Sequence, residues 1–167
     1  DPAQVRQAYY TMRREEQWTE SVESNAMLIK NYLNDWVVDV HRYPSQIVLM
    51  SSDTTQVFKD VLKQQEGDTP IKIFYDTTFE MGKFYVSPLC TEHPYLTRRE
   101  KGTEAGVTIP VAYNIHTKRN MEDHARFFST VRIKTNDFEN SKVVFVSDRE
   151  FQNLKFYGTD NVKPALC

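Results

Sequence analysis

Glycine is scarce in this 167-residue chain. Its five glycines are scattered, and neither G-x-G-x-x-G nor G-x-x-x-x-G-K occurs. That removes the glycine-rich backbone cradles that dinucleotide and nucleoside-triphosphate sites require. Cysteine is scarcer still. Cys90 and Cys167 cannot build a disulfide framework, and they point to a reducing compartment. No apolar run reaches 18 residues, so no transmembrane helix is expected and no membrane partner. Asp1-Pro2 opens no signal-peptide pattern. A large excess of one charge is also missing. The net charge is −2, from 7 basic and 11 acidic side chains in residues 1–69 and 14 and 12 in residues 70–167. Neither half carries the strongly basic footprint of an autonomous tight nucleic-acid binder. His93, His116 and His124 lie 23 and 8 residues apart with no cysteine pair nearby, which fits no zinc-site spacing. Cys90 and His93 lack the orienting group and oxyanion donors that a nucleophilic pair needs.

What is present is aromatic and patterned. Phe, Trp and Tyr make up 13% of the chain, which favours a packed core over disorder. Residues 1–69 read as a helical N-terminal region. Arg13-Arg14-Glu15-Glu16 suits a solvated helix face, and Val22, Ala26, Ile29, Leu33, Trp36 or Val37, and Val40 recur at spacings of three and four, predicting one amphipathic helix. Gln46–Met50 is a short strand candidate. Asp53, with Gln56 three residues on, is expected to cap a helix burying Val57, Phe58, Val61 and Leu62.

Residues 70–167 change to strand patterning. Strands are expected over 71–76 and 83–89. A polar surface loop is expected over 91–106, and then a strand in which Val107, Ile109, Val111, Tyr113 and Ile115 alternate to form one apolar face. Asn120 is placed to cap a helix with Met121, Ala125, Phe128 and Val131 inward. A strand over 142–147 and a helix starting near Glu150 follow. Two apolar runs end in aspartate: Ile71-Lys72-Ile73-Phe74-Tyr75-Asp76 and Val143-Val144-Phe145-Val146-Ser147-Asp148. An acid where a buried strand meets a loop packs poorly but is well placed to hold a divalent cation. Two such strands side by side would start a two-metal phosphoryl-transfer site. The element order β-β-β-α-β-α, with a right-handed crossover to the last strand, matches the opening of a ribonuclease-H-like mixed sheet within the α+β or α/β classes.

Four segments in order carry a family resemblance over about residues 70–155. Asp76-Thr77-Thr78-Phe79-Glu80-Met81-Gly82-Lys83-Phe84-Tyr85-Val86-Ser87-Pro88-Leu89 resembles the first catalytic strand and hairpin of Mutator-like (MULE-type) DDE transposases. Ile109-Pro110-Val111-Ala112-Tyr113-Asn114-Ile115-His116-Thr117-Lys118-Arg119 resembles their third strand and the turn after it. Glu122-Asp123-His124-Ala125-Arg126-Phe127-Phe128 is similar to the following helix, and Val146-Ser147-Asp148-Arg149-Glu150 to the setting of the second catalytic aspartate.

The resemblance implies a nuclear enzyme of DNA recombination that cuts and joins DNA strands with Mg²⁺ or Mn²⁺. Carried over by position, Asp76 and Asp148 would be catalytic metal ligands. Read from the residues themselves, Glu150 is either an auxiliary at this site or a first-turn helix acid, Thr77 either contacts a phosphate or a metal-bound water or simply ends its strand, and His116, Lys118 and Arg119 form a basic turn that either touches a DNA backbone or is solvated. The family's third acid, a Glu, lies on a helix well beyond the second Asp. The chain stops 19 residues after Asp148 and does not begin with Met, so a piece of a longer protein is expected, with an incomplete fold that is inactive alone. Such a fold would expose apolar sheet surface and invite self-association into a homo-oligomer. The alternative expectation is a domesticated transposon module that binds DNA or protein without catalysis, its acids being relics. An unrelated α+β domain is a third.

Overall fold

The structure is a computed structural model. It describes residues 21–32, 35–63, 70–77, 79–81, 83–100, 102–135, 143–147 and 162–166. In chain order the elements are α1 (Val22–Tyr32), β1 (Val37–Arg42), β2 (Ser45–Leu49), α2 (Ser52–Lys63), β3 (Ile71–Tyr75), β4 (Phe79–Met81), β5 (Phe84–Glu100), β6 (Thr103–His116), α3 (Met121–Thr135), β7 (Val143–Ser147) and β8 (Val162–Leu166). This is an α+β protein built on one mixed sheet. The strand order is β1-β2-β6-β5-β3-β7-β8, with β4 pairing β5 alongside. From β1 through β3 each neighbouring pair is antiparallel, whereas β3–β7 and β7–β8 are parallel.

The first departure from the sequence pattern is the long helix expected through Val40. Helix α1 stops at Tyr32, and Val37–Arg42 is a strand. The segment Val37-Val38-Asp39-Val40 is β-branched and alternating enough to pair, and β2 offers it an open edge. Residues 37–49 therefore form a hairpin that extends the sheet through β2–β6. The second departure is the loop expected over 91–106. Thr91 is buried and still pairs Ile73 of β3, and from His93 onward β5 and β6 continue as a two-stranded ribbon, turned by Gly102 at φ +86°. A polar composition marks this ribbon as solvated on both faces, not as unstructured.

The core lies mainly on one face. Phe58 and Leu62 of α2 and Phe127, Phe128 and Val131 of α3 pack on Val48, Ile73, Tyr75, Leu89, Ala112, Val143 and Phe145. A smaller cluster joins Ala26 of α1 to Val37 and Ile47, with Val40, Leu49 and Ile115 against it. Ile47 and Val48 are adjacent on one strand and so serve opposite faces. The alternation predicted along Val107–Ile115 is broken by a bulge. Leu89 pairs Ala112 while Cys90 pairs Pro110, so Val111 is the extra residue of a bulge. Val111 and Ala112 both enter the main core, and Ile115 turns to the α1 side.

Helix boundaries follow from local chemistry. Ser51, not Asp53, caps α2: its hydroxyl accepts the Thr54 N–H at 3.0 Å. Asp53 sits in the first turn, where it complements the helix dipole. Asn120 caps α3 as its sequence position predicts, accepting the Asp123 N–H at 2.9 Å.

Candidate functional site

Strands β3, β6 and β7 point the same way, so their C-terminal ends share one end of the sheet. Tyr75, the last residue of β3, pairs with Ser147, the last of β7. Asp76 directly follows Tyr75 and is exposed. Asp148 follows Ser147 in sequence but lies outside the described residues, as do Glu150 and the helix expected to start near it. The turn after β6 brings exposed Lys118 and Arg119 to this same end, with the Arg119 guanidinium carbon 5.6 Å from the Tyr85 ring centroid. Among the described residues no group of three or more His, Cys, Asp or Glu could hold a metal ion.

His116 departs from its expected role. It is fully buried, so its ring does not touch a DNA backbone. It belongs to a polar layer between the sheet and the start of α3. The register explains this layer. Tyr75 pairs Leu89, so two residues further on Thr77 comes beside Ser87, which itself pairs Asn114. Period-two alternation puts Tyr75, Thr77, Ser87, Asn114 and His116 on the face that α3 covers. Thr77 and Ser87 hydroxyls are 2.8 Å apart, and Ser87 Oγ is 2.9 Å from His116 Nε2. His116 Nδ1 lies 2.7 Å from the Lys118 carbonyl oxygen.

A second branch starts at Tyr75. Its hydroxyl is 2.7 Å from His124 Nδ1 and accepts from Asn114 Nδ2 at 3.2 Å. Gln46 Nε2 donates to Asn114 Oδ1 at 2.9 Å and to the Asp123 carbonyl at 2.6 Å. Arg126 reaches Gln46 Oε1 at 3.3 Å and Asp123 Oδ1 at 3.5 Å. The two branches meet where the His116 and His124 rings pack edge to face, centroids 4.9 Å apart.

Burial dominates the electrostatics here. It pushes His124 down to about 4, helped by the neighbouring His116 and Arg119. It also lowers His116, against the Lys118 carbonyl bond and the Asp123 charge, which favour the proton. Burial raises Asp123 despite Arg126 and His116. Asp123 Oδ2 is buried with no hydrogen-bond partner among the described residues. Single-residue reading missed this layer because Ser87, Gln46 and Asn114 are unremarkable in sequence. The one available signal was polar residues at inward positions of otherwise apolar strands.

No family model, curated protein or solved structure matches this chain.

Proposed function

We propose that the sheet end bearing Asp76 is a divalent-metal site of a ribonuclease-H-like nuclease core, the transposase-type DNA strand-cleaving and strand-transfer chemistry that the sequence resemblance implies. The observation that carries this reading is the register: Tyr75 and Ser147 are level on adjacent parallel strands, and each is followed at once by an aspartate. Supporting it is the run β6-β5-β3-β7-β8, antiparallel among its first three strands and parallel among its last three, with α3 crossing from β6 to β7. That is the sheet order expected of a ribonuclease-H-like core.

The donor set suits a hard cation. Asp76 offers an exposed carboxylate at a strand end, and oxygen ligands match Mg²⁺ or Mn²⁺. Asp76 and Asp148 would hold the ion, which when bound would activate a water or a 3′-hydroxyl and steady the leaving oxygen. Exposed Lys118 and Arg119 at the same sheet end suit a DNA backbone. Calorimetric titration with Mn²⁺ tests the site. Binding that Asp76→Asn and Asp148→Asn each weaken about tenfold or more supports it; no binding, or binding indifferent to both, sinks it.

A second reading draws on the ribbon. Residues 93–107 of β5 and β6 pair only with each other among the described strands, and they expose Tyr95, Leu96, Arg98 and Arg99. The ribbon leaves the sheet at the end opposite Asp76, because β5 runs antiparallel to β3. A non-catalytic module would use this arm to bind DNA or protein. Loss of binding on trimming the ribbon, with Asp76→Asn neutral, would favour it.

A further inference from the structure

Hydrogen bonds in the Thr77–Ser87–His116 chain have a direction that the geometry determines. The Lys118 carbonyl can only accept, so the 2.7 Å contact to His116 Nδ1 requires the proton on Nδ1. In a neutral ring Nε2 is then a bare acceptor, and the Ser87 hydroxyl must donate to it. With its one proton committed, Ser87 can only accept from Thr77. Thr77 in turn has no proton left to give outward. Ser87 and His116 are fully buried, and Thr77, half-buried, is the only member of the chain open to solvent.

We propose that Thr77–Ser87–His116 is a one-way relay that makes Thr77 Oγ1 a fixed hydrogen-bond acceptor at the sheet end bearing Asp76. It selects a proton-donating ligand there, a water or the hydroxyl of an attacking nucleophile, and refuses a phosphate oxygen. The use of that acceptor in catalysis rests on the nuclease reading; its polarity does not. Ser87 and His116 are positioning residues that act only through Thr77.

Protonation of His116 reverses the chain. Nε2–H then donates to Ser87, Ser87 to Thr77, and Thr77 outward. The proton count balances: the one proton taken up at His116 Nε2 lets one proton point out at Thr77. The groups facing His116 are Asp123 and His124 from α3, Lys118 and Arg119 from the following turn, Tyr85 from β5, and Ser87 beneath it. Asp123 alone among them favours the imidazolium by its charge, and Arg119 opposes it.

Long-range ¹H–¹⁵N spectra of the full 167-residue chain test the relay. The expected result at neutral pH is a neutral His116 with its proton on Nδ1; an Nε2–H tautomer overturns the proposal. In Thr77→Val the imidazolium form loses the acceptor for the Ser87 proton, so the His116 pKa falls by about half a unit or more. Thr77→Ser, which keeps the hydroxyl, restores it. A His116 pKa unchanged in Thr77→Val overturns the relay. Titration with inorganic sulfate, an oxyanion that carries no proton at neutral pH, is expected to leave the Thr77 methyl resonance in place, and a saturable shift overturns the ligand class. Mn²⁺ calorimetry on the unsubstituted chain and on Asp76→Asn judges the metal reading separately, so an absent metal site leaves these outcomes intact.

Discussion

Tyr75 and Ser147 sit opposite one another at the ends of two parallel strands, and in the sequence each is followed directly by an aspartate. If both carboxylates serve one cation, their effects cannot be independent. Removing either leaves a half-site that the other no longer completes. The double variant Asp76→Asn/Asp148→Asn should therefore lose little more Mn²⁺ affinity than each single variant, a non-additivity readable by calorimetry. Two additive losses would place the acids in separate sites.

Tyr75→Phe keeps the ring that stacks on Phe127 but deletes the hydroxyl that serves both His124 and Asn114. Both partners are buried, so each is left short of a hydrogen bond. Destabilisation of roughly 1–3 kcal/mol is expected in urea unfolding, with an unchanged m-value.

Stability should fall as pH drops below neutrality. His124 is held at about 4 by burial, whereas an unfolded histidine titrates near 6.5. Between those values the unfolded chain binds more protons, so acid favours unfolding across that window. The full difference is on the order of 3 kcal/mol. The lowered His116 acts in the same direction, while the raised Asp123 favours the folded state at acid pH relative to neutral pH and offsets part of the loss. His124→Phe should flatten the curve between pH 4 and pH 6.5 in chemical denaturation. A slope that persists in that variant would assign it to other groups.

Asn120→Ala removes the side-chain acceptor for the Asp123 N–H at the start of α3. A loss of about 1 kcal/mol is expected in thermal or urea unfolding. Asn120→Asp, which keeps an acceptor and adds a favourable charge at the helix start, should recover most of it.

If the sheet end meets a DNA backbone, Lys118→Ala/Arg119→Ala should weaken binding similarly for unrelated sequences. The slope of log K against log salt should shrink by about two. Fluorescence anisotropy over a salt series measures both. Equal slopes for the parent and the double variant would move the nucleic-acid contact elsewhere.

Elements with strong local patterning were legible from residue order. The strand runs ending at Tyr75 and Ser147, the helix after Asn120 and most of the inward face of α2 follow from hydrophobic period and capping chemistry, which act over a few residues. Val57 and Met121, expected inward, are exposed instead, and Phe127 joins Phe128 and Val131 in the core. The sequence also suggested the parallel pairing of β3 with β7, through the crossover that α3 makes.

Other features were decided only by distant partners. Val37–Val40 fits a helical stripe as well as a strand, and the open edge of β2 selected the strand. The Val111 bulge depends on where β5 lies, so the sequence alternation could not show that Val111 and Ala112 share one core. His116 and its basic neighbours read as a solvated turn until α3 and β5 closed over the ring. The direction of the relay at Thr77 needs a carbonyl two residues beyond His116 and a hydroxyl on another strand. Local sequence determines which residues can form strands, helices and caps, because those energies are short-range. Which polar groups meet, and which of them must donate, depends on strand register and on burial, and these exist only once the sheet is assembled.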